Sequence, residues 1–295
     1  MKVIKPVALT DANIVSSTVE ETEYFAYAAG TNYAVGARCI YGHKVYDSVQ
    51  EPNVGHQPDV SPLFWASVSP TNRWAMFDSE VSTQTEANGV LTVVIKTGYV
   101  NSLALFGLEG NALSITVQDG LGGPVVYNRS MTLDGTIISD WYQYFYEPTV
   151  QLAEVVLDDL PPYGNAHITI TVTAGGTVKC GAVSVGTAYT IGDTQYGASV
   201  GIIDYSRKDT SPTGETTFNK RKYSKTMNAQ VWLKSGQFNK VFQVLAALRS
   251  TPCAWVGVNS AGFEPMIIYG FYRDFAIDIA YPTYDLCSLQ IEGLI

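Results

Sequence analysis

The segment HITITVTA (residues 167–174) alternates apolar and polar side chains, and this alternation decides the fold class. Ile168, Ile170 and Val172 would share one face of a strand, because successive side chains of a strand point to opposite faces of its sheet. The same period recurs in LSITVQD (residues 113–119). Such alternation is typical of antiparallel strands that bury one face and expose the other.

Residues 70–196 contain further strand-like segments separated by short turns. The segments are GVLTVVIK (89–96), SLALFGL (102–108), VVYNRS (125–130), WYQYFYEP (141–148) and EVVLDDL (154–160). Turns such as Asp119-Gly120 and Asp134-Gly135 space them at intervals typical of a β-sandwich. The opening WAMFD (74–78) and the late VSVG (183–186) are similar to the galactose-binding-like jelly roll. The resemblance implies a jelly-roll sandwich, a fold that lectins, enzyme accessory modules and spacers share.

The composition is that of a β-rich protein with partners. The chain has 295 residues, of which 46% are hydrophobic and 12% aromatic. Only 15% are charged, against roughly 25% in an average soluble domain. A chain of this length usually forms two or three domains. Few charges combined with many aromatic side chains indicate a surface that is partly covered by other subunits or proteins.

The charge is unevenly distributed along the chain. Residues 1–200 hold 8 Lys/Arg against 19 Asp/Glu, whereas residues 201–295 hold 10 against 8. The basic excess is concentrated in one short cluster, Lys220, Arg221, Lys222 and Lys225. An acidic chain with one small basic cluster argues against nucleic acid as the main partner. The cluster is either a solvated strand face or a docking site for an acidic neighbour.

The cysteine pattern and the hydropathy pattern bear on the compartment. Four cysteines are scattered singly, without a CxxC motif or a histidine at ligand spacing: Cys39, Cys180, Cys253 and Cys287. We expect buried free thiols in a protein made in a reducing cytosol, with no metal and no cofactor. The N-terminal MKVIKPVALTDANIVSS lacks the pattern of a signal peptide. No apolar run approaches the roughly 20 residues of a membrane span.

The first 69 residues divide into an arm and a small unit. Residues 1–24 are predicted to form an extended N-terminal arm, which either reaches a neighbouring subunit or is a disordered tail. In residues 25–69, glycines punctuate short strand-like segments such as ARCIY (37–41) and KVYDSV (44–49). A unit this small buries little surface, so we expect an aromatic core made by Tyr27, Tyr33, Tyr46 and Trp65.

The small unit resembles the chitin-binding-type modules of chitinases. The resemblance rests on Tyr33-x-x-Gly36, Gly42-x-Lys44-x-Tyr46, Gly55-x-x-Pro58 and Trp65. Such modules stack exposed aromatic rings on sugars, which implies glycan contact here; the candidates are Tyr41 and Tyr46, then Trp65 and Tyr33. The chain has DSVQ (47–50) where the family commonly has a further exposed aromatic side chain. The unit is predicted to be either a structural spacer or a glycan-contact module.

Residues 197–295 contain one convincing helix among strands. In SGQFNKVFQVLAALRS (235–250), Ser235 is a suitable N-cap, and Thr251-Pro252 would end the helix. One face of this helix is apolar, with Phe238, Val241, Phe242, Leu245 and Leu248. A long polar-alternating strand, TTFNKRKYSKTMNAQVWL (216–233), precedes it. We predict a C-terminal antiparallel β unit with one packed α-helix, in a mainly β protein of tandem β modules.

The whole chain resembles a family of tailed-bacteriophage and prophage virion proteins, often described as tail or carbohydrate-binding proteins. The resemblance rests on VIKP (3–6), PTNRWAMFD (70–78), DYSRKD (204–209), KYSK (222–225), LRSTPC (248–253), YGFYRDF (269–275) and SLQIEGL (288–294). It implies a structural subunit of the tail, at its distal part, tip or baseplate. We therefore expect a homo-oligomeric ring in contact with other tail proteins, located in the virion after synthesis in the host cytoplasm.

Residue patterns for catalysis are missing from the sequence. None of the three histidines belongs to a nucleophile motif, and HExxH and phosphate-loop motifs are absent. Asp274 and Asp278 would lie roughly 13 Å apart along a strand, too far for a glycosidase pair. We predict a protein that is not an enzyme, with host-surface glycan binding as the alternative function. The predicted assembly contacts are the basic cluster, Lys220, Arg221, Lys222 and Lys225, and the aromatic residues Tyr142, Tyr144 and Tyr146.

Overall fold

The computed structural model describes residues 1–211, 213–234 and 236–295, which form twenty strands and two α-helices. The first strands are β1 (Lys2–Pro6), β2 (Ile14–Ser17), β3 (Arg38–Tyr41), β4 (Lys44–Ser48), β5 (Trp65–Pro70), β6 (Thr85–Lys96), β7 (Ser102–Phe106), β8 (Ala112–Asp119) and β9 (Val125–Thr132). After helix α1 (Trp141–Tyr146) come β10 (Val155–Leu157), β11 (Ala166–Cys180), β12 (Ala182–Thr190), β13 (Asp193–Thr194), β14 (Ser199–Asp204), β15 (Arg207–Thr210), β16 (Thr216–Asn219) and β17 (Tyr223–Lys234). Helix α2 (Phe238–Ala247) precedes β18 (Cys253–Val256), β19 (Ile267–Asp278) and β20 (Tyr284–Gly293). The predicted mainly β class is confirmed.

A β-sandwich lies in the first two thirds of the chain. The alternating segment HITITVTA lies in β11, at the centre of a five-stranded antiparallel sheet with the order β2-β6-β11-β8-β9. The apolar faces of β6, β8 and β11 pack against β7, β10 and β12. Ile168, Ile170 and Val172 are buried in this core, while the threonines between them are less buried. Period-two alternation therefore identified the buried face correctly.

One sheet of ten strands joins the sandwich to the C-terminal unit. Its order is β10-β7-β12-β1-β18-β19-β20-β17-β13, with β14 also paired to β17. Strand β1 lies between β12 of the sandwich and β18 of the C-terminal unit. Val3 and Ile4 of β1 are fully buried in two different apolar clusters, because neighbouring side chains of a strand point to opposite faces. The sheet thus crosses residue 196, the predicted boundary between domains.

The N-terminal arm belongs to this chain's own sheets. The expectation was an extension to a neighbouring subunit or a disordered tail; β1 instead completes the ten-stranded sheet, and β2 forms an edge of the five-stranded sheet. The two apolar residues Val3 and Ile4 are each buried in a core, and this burial stabilises the pairing of the segment with the sheet. Composition alone does not predict that β1 pairs within its own chain, because the turns around this strand are polar.

The small unit and helix α2 follow their sequence patterns. Strands β3, β4 and β5 form a three-stranded sheet over an aromatic core. Helix α2 packs Val241, Leu245 and the following Leu248 into the C-terminal core, and its residue Phe242 is half exposed against Phe275. The predicted N-cap Ser235 lies outside the described residues; Gln237 precedes the first helical residue.

The prediction of a strand is wrong for one segment and only partly correct for another. The segment WYQYFYEP forms the short helix α1 rather than a strand, because the Asp140 side chain accepts a hydrogen bond from the Gln143 backbone and caps a helical turn. The segment TTFNKRKYSKTMNAQVWL does not form one long strand. It divides into β16 and β17, with a break at residues 220–222 inside the basic cluster.

Candidate assembly surface

A long β-hairpin projects from the C-terminal unit. Strands β14 and β17 pair from Ser199 to Asp204, and the hairpin continues beyond them through β15 and β16. Two hydrogen bonds connect the two strands between these parts: the Tyr205 backbone N–H donates to the Lys222 carbonyl, and the Arg221 backbone N–H donates to the Ser206 side-chain hydroxyl. All eight residues of β15 and β16 are exposed. At about 3.3 Å per residue, this end extends roughly 20 Å from the sheet.

Most of the basic cluster lies on this hairpin. Lys220, Arg221 and Lys222 are exposed in the break between β16 and β17. Among the described residues, none of these three side chains has a carboxylate within 4.0 Å. Lys220 is nevertheless close enough to lower the pKa of Asp204, after the larger effect of hydrogen bonds from Ser206. Lys225 differs: it is half-buried and forms an ion pair with Glu154.

The base of the hairpin exposes apolar side chains. Strand β14 pairs with β17 along one edge, and five of its six residues are exposed. Val200 and Ile202 are among them, and Ile202 is 64% exposed. Phe218 near the tip is 72% exposed. An edge strand with exposed β-branched residues is a surface to which another chain can add a strand or a side-chain contact.

Helix α1 exposes an aromatic surface, which we name the aromatic patch: Trp141, Tyr142, Tyr144, Phe145 and Tyr146. Its rings pack on each other: Trp141 stacks on Phe145 at a centroid distance of 6.3 Å, and Tyr142 lies tilted against Tyr146 at 5.1 Å. The predicted contacts Tyr142, Tyr144 and Tyr146 all belong to it. A helix of six residues has little stability of its own. Complete burial of one such ring by a partner would contribute about 1.5–3 kcal/mol to the free energy of association.

The predicted glycan contacts are mainly packing residues. Tyr33, Tyr46 and Trp65 are buried in the core of the small unit, with the Tyr33 and Trp65 centroids 5.0 Å apart. Trp65 also donates a hydrogen bond of 2.8 Å to the His56 carbonyl. Buried rings offer no face on which a sugar can stack. Tyr41 is half-buried, edge-on to Tyr27, and is the candidate with an accessible side.

A histidine that sequence patterns missed joins three segments. His43 lies in the turn between β3 and β4 with a φ of +64°. Its Nε2 lies 2.8 Å from Asp11 Oδ2, its Nδ1 lies 3.0 Å from Glu21 Oε1, and its ring packs on Trp74 at 4.4 Å. Burial alone would lower the His43 pKa, but the hydrogen bonds to Glu21 and Asp11 outweigh it and raise the pKa. The partners are 22 and 32 residues away, so no local motif reveals them.

One pocket of about 560 Å³ lies where the sandwich meets the C-terminal unit. Its lining includes Phe106, Ile267 and Tyr269 together with the ion-paired Glu154 and Lys225. The four cysteines are buried and free, as predicted. Burial raises the pKa of the Cys180 and Cys253 thiols to about 12, so they stay protonated at neutral pH.

In the described parts of the chain, no three His, Cys, Asp or Glu side chains are gathered in a way that could hold a metal ion. None of the described helices has the length and apolar character needed to cross a membrane. Comparison of the chain with protein-family models, with curated proteins and with solved structures found no match.

Proposed function

We propose that the chain is a structural subunit of a bacteriophage tail, in its distal part, tip or baseplate, which forms a ring through its C-terminal unit. The observation that carries the assembly role is the projecting hairpin with its exposed edge strand β14. A strand pair that extends roughly 20 Å into solvent and buries nothing in its own chain is suited to contact a neighbour. The assignment to a tail rests on the sequence resemblance.

The arrangement of the other units supports the same proposal. Strand β1 ties the sandwich and the C-terminal unit into one sheet, so a force on either unit is carried through backbone hydrogen bonds. The small unit lies outside the ten-stranded sheet, with its own aromatic core. A subunit with one continuous sheet and a separate outer unit can assemble through the first and display the second.

Removing the hairpin tests the proposal. Because Tyr205 and Lys222 are hydrogen-bonded neighbours, replacing residues 206–221 by Asn-Gly closes the hairpin with a two-residue turn. We expect the wild type to sediment as a discrete oligomer in analytical ultracentrifugation and the shortened chain as a folded monomer. The matched control replaces the turn at residues 120–123 between β8 and β9, where Leu121 and Gly122 are exposed, by Asn-Gly, and this variant should still assemble. A wild type that is monomeric at every concentration would reject the ring.

The full chain is the right material for this experiment. A fragment of residues 197–295 would lack β1 and leave β18 without one of its two partner strands. It would also remove Val3 from the C-terminal core. Loss of assembly by that fragment would therefore not distinguish a missing contact from a damaged fold.

The alternative proposal is a host-surface glycan adhesin. Its support is the accessible side of Tyr41 together with the exposed rings of helix α1. Aromatic faces of this kind can stack on sugar rings. Binding of the monomeric, hairpin-shortened chain to immobilised polysaccharide would favour this function, because that variant lacks the proposed assembly contact.

A further inference from the structure

The aromatic patch and the hairpin carry opposite charges. Residues 130–178, which include the patch, contain six Asp/Glu and no Lys/Arg. Residues 205–225, which include the hairpin tip, contain six Lys/Arg and two Asp/Glu. The first stretch is acidic without any basic residue and the second has a basic excess, which is the relation found between the two sides of a specific interface.

The charges nearest the patch are available to a partner. Asp140 precedes helix α1 and Glu147 follows it, and both are exposed. Neither carboxylate has a Lys or Arg side chain within 4.0 Å in the described parts of the chain. By contrast, Glu154 and Asp158 of the same acidic stretch form ion pairs with Lys225 and Lys2. Of the six acidic residues in this stretch, Asp134, Asp140 and Glu147 form no ion pair with a described Lys or Arg, and two of these three, Asp140 and Glu147, flank the exposed rings.

We propose that the hairpin of one copy of this chain docks on the aromatic patch of the next copy. The inference rests on the proposed ring-forming function and names the two surfaces that would form its contact. Lys220, Arg221 and Lys222 would lie over the rings and beside the two carboxylates, and Phe218 would add an apolar contact.

The chemistry of the two surfaces fits this contact. Arginine and lysine side chains bind over the faces of Trp and Tyr rings, and Trp, Tyr and Arg are the residues that contribute most at interface centres. Ion pairs at the two ends of α1 would fix the direction in which the hairpin lies. A basic partner is also a better match than an anionic lipid surface, which Asp140 and Glu147 would repel.

The contact would generate a ring or a filament. The hairpin and the patch are different parts of the chain, so a copy that uses its hairpin on one neighbour still has a free patch for another. Such a head-to-tail contact continues until the rotation between copies closes it. A two-fold dimer would instead require the same surface on both sides.

Charge reversal on each surface tests the pairing. The hairpin variant is K220E/R221E/K222E, and the patch variant is E147K/T149K; all five side chains are exposed. Each variant alone presents like charges on both surfaces, so we expect monomers. An equal mixture restores opposite charges at both kinds of junction when the two variants alternate, and we expect it to recover assembly into filaments or into rings with an even number of copies. The control K234E/K240E/R249E reverses three exposed charges remote from the hairpin tip and should not affect assembly.

A second variant tests the rings themselves. W141A/F145A removes two exposed rings without changing charge, and we expect at least a tenfold weaker assembly; Y196A, which removes a fully exposed ring elsewhere, is the control. Analytical ultracentrifugation and electron microscopy of the particles provide the readout, with phosphatidylcholine vesicles and immobilised polysaccharide as additional probes.

The outcomes separate this inference from the proposed function. A wild type that assembles while the three variants assemble equally well would overturn the docking pair and leave the ring intact with other contacts. A monomeric wild type would reject both. Loss of vesicle or polysaccharide binding by W141A/F145A, with assembly unchanged, would identify a lipid or a glycan as the occupant of the patch and also overturn the inference.

Discussion

The small unit and helix α1 are both rich in aromatic residues, yet one buries its rings and the other exposes them. Trp65 in the small unit is 3% exposed, whereas Trp141 in α1 is 78% exposed. In the small unit, three strands and their turns surround the rings. In α1, six residues form about 1.7 turns, which is too little chain to cover its own side chains. A high aromatic content therefore indicates rings that are stabilised by burial. The amount of surrounding chain decides whether they are buried within their own unit or left exposed to a partner.

Among the substitutions that test this comparison, Trp65→Ala should cause the largest loss of stability. The variant loses a buried indole, its contact with Tyr33 and its hydrogen bond to the His56 carbonyl. We expect a loss of about 3–5 kcal/mol of stability in the small unit. Hydrogen exchange at the amides of β3 and β4 measures it locally. Trp141→Ala is the matched control, and it should change the unfolding free energy of the monomer by less than about 0.5 kcal/mol. Equal effects of the two variants would contradict the assignment of one ring to a core and the other to a surface.

The elements that the sequence predicted correctly depend on local signals. Strand β11 follows from its alternation, and α2 follows from the spacing of Val241, Leu245 and Leu248. Helix α1 was mistaken for a strand because aromatic residues have high strand propensity, while its capping hydrogen bond depends on a single aspartate. Strand propensity measures packing on a half-buried sheet, and no sheet accepts these rings.

The features that could not be predicted depend on distant residues. Strand β1 pairs with residues near 188 and 255, and a five-residue segment gives no signal for such partners. Likewise, the ring of His43 is held by groups 22 and 32 residues away. For the candidate site, the sequence identified the basic cluster and the tyrosines as separate contact candidates. Their exposure, and the lack of ion pairs at Asp140 and Glu147 among the described residues, became visible only in three dimensions.

Removing the N-cap of α1 should have an effect on local stability of intermediate size. In Asp140→Ala the Gln143 amide loses its acceptor, and we expect the helix to lose about 1 kcal/mol of local stability. Faster hydrogen exchange at Tyr144 and Glu147, whose amides bond within the helix, would report it. Asp140→Asn keeps a capping oxygen without the charge and should preserve the helix. Unchanged exchange in the alanine variant would mean that ring packing and the hydrogen bonds from Ser139 to the Gln143 side chain are enough to maintain the helical turn.

The smallest expected effect concerns how the small unit is attached, because His43 links it to the arm whereas α1 has no comparable ion pair in the described chain. A His43 pKa raised above its ordinary value means that the folded state binds the proton more tightly than the unfolded state. The stabilisation is therefore complete below the ordinary histidine pKa of about 6.5 and is lost as the pH rises through the higher folded value. About a third of the side chain is exposed, so water screens the pairs and limits the effect to about 1 kcal/mol or less. Exchange of the β3 and β4 amides, corrected for the intrinsic rate, should give higher stability at pH 6 than at pH 8 in the wild type. In His43→Gln this difference should vanish, since glutamine does not titrate. A difference that persists in His43→Gln would assign the pH dependence to another group and leave the attachment to the contact with Trp74.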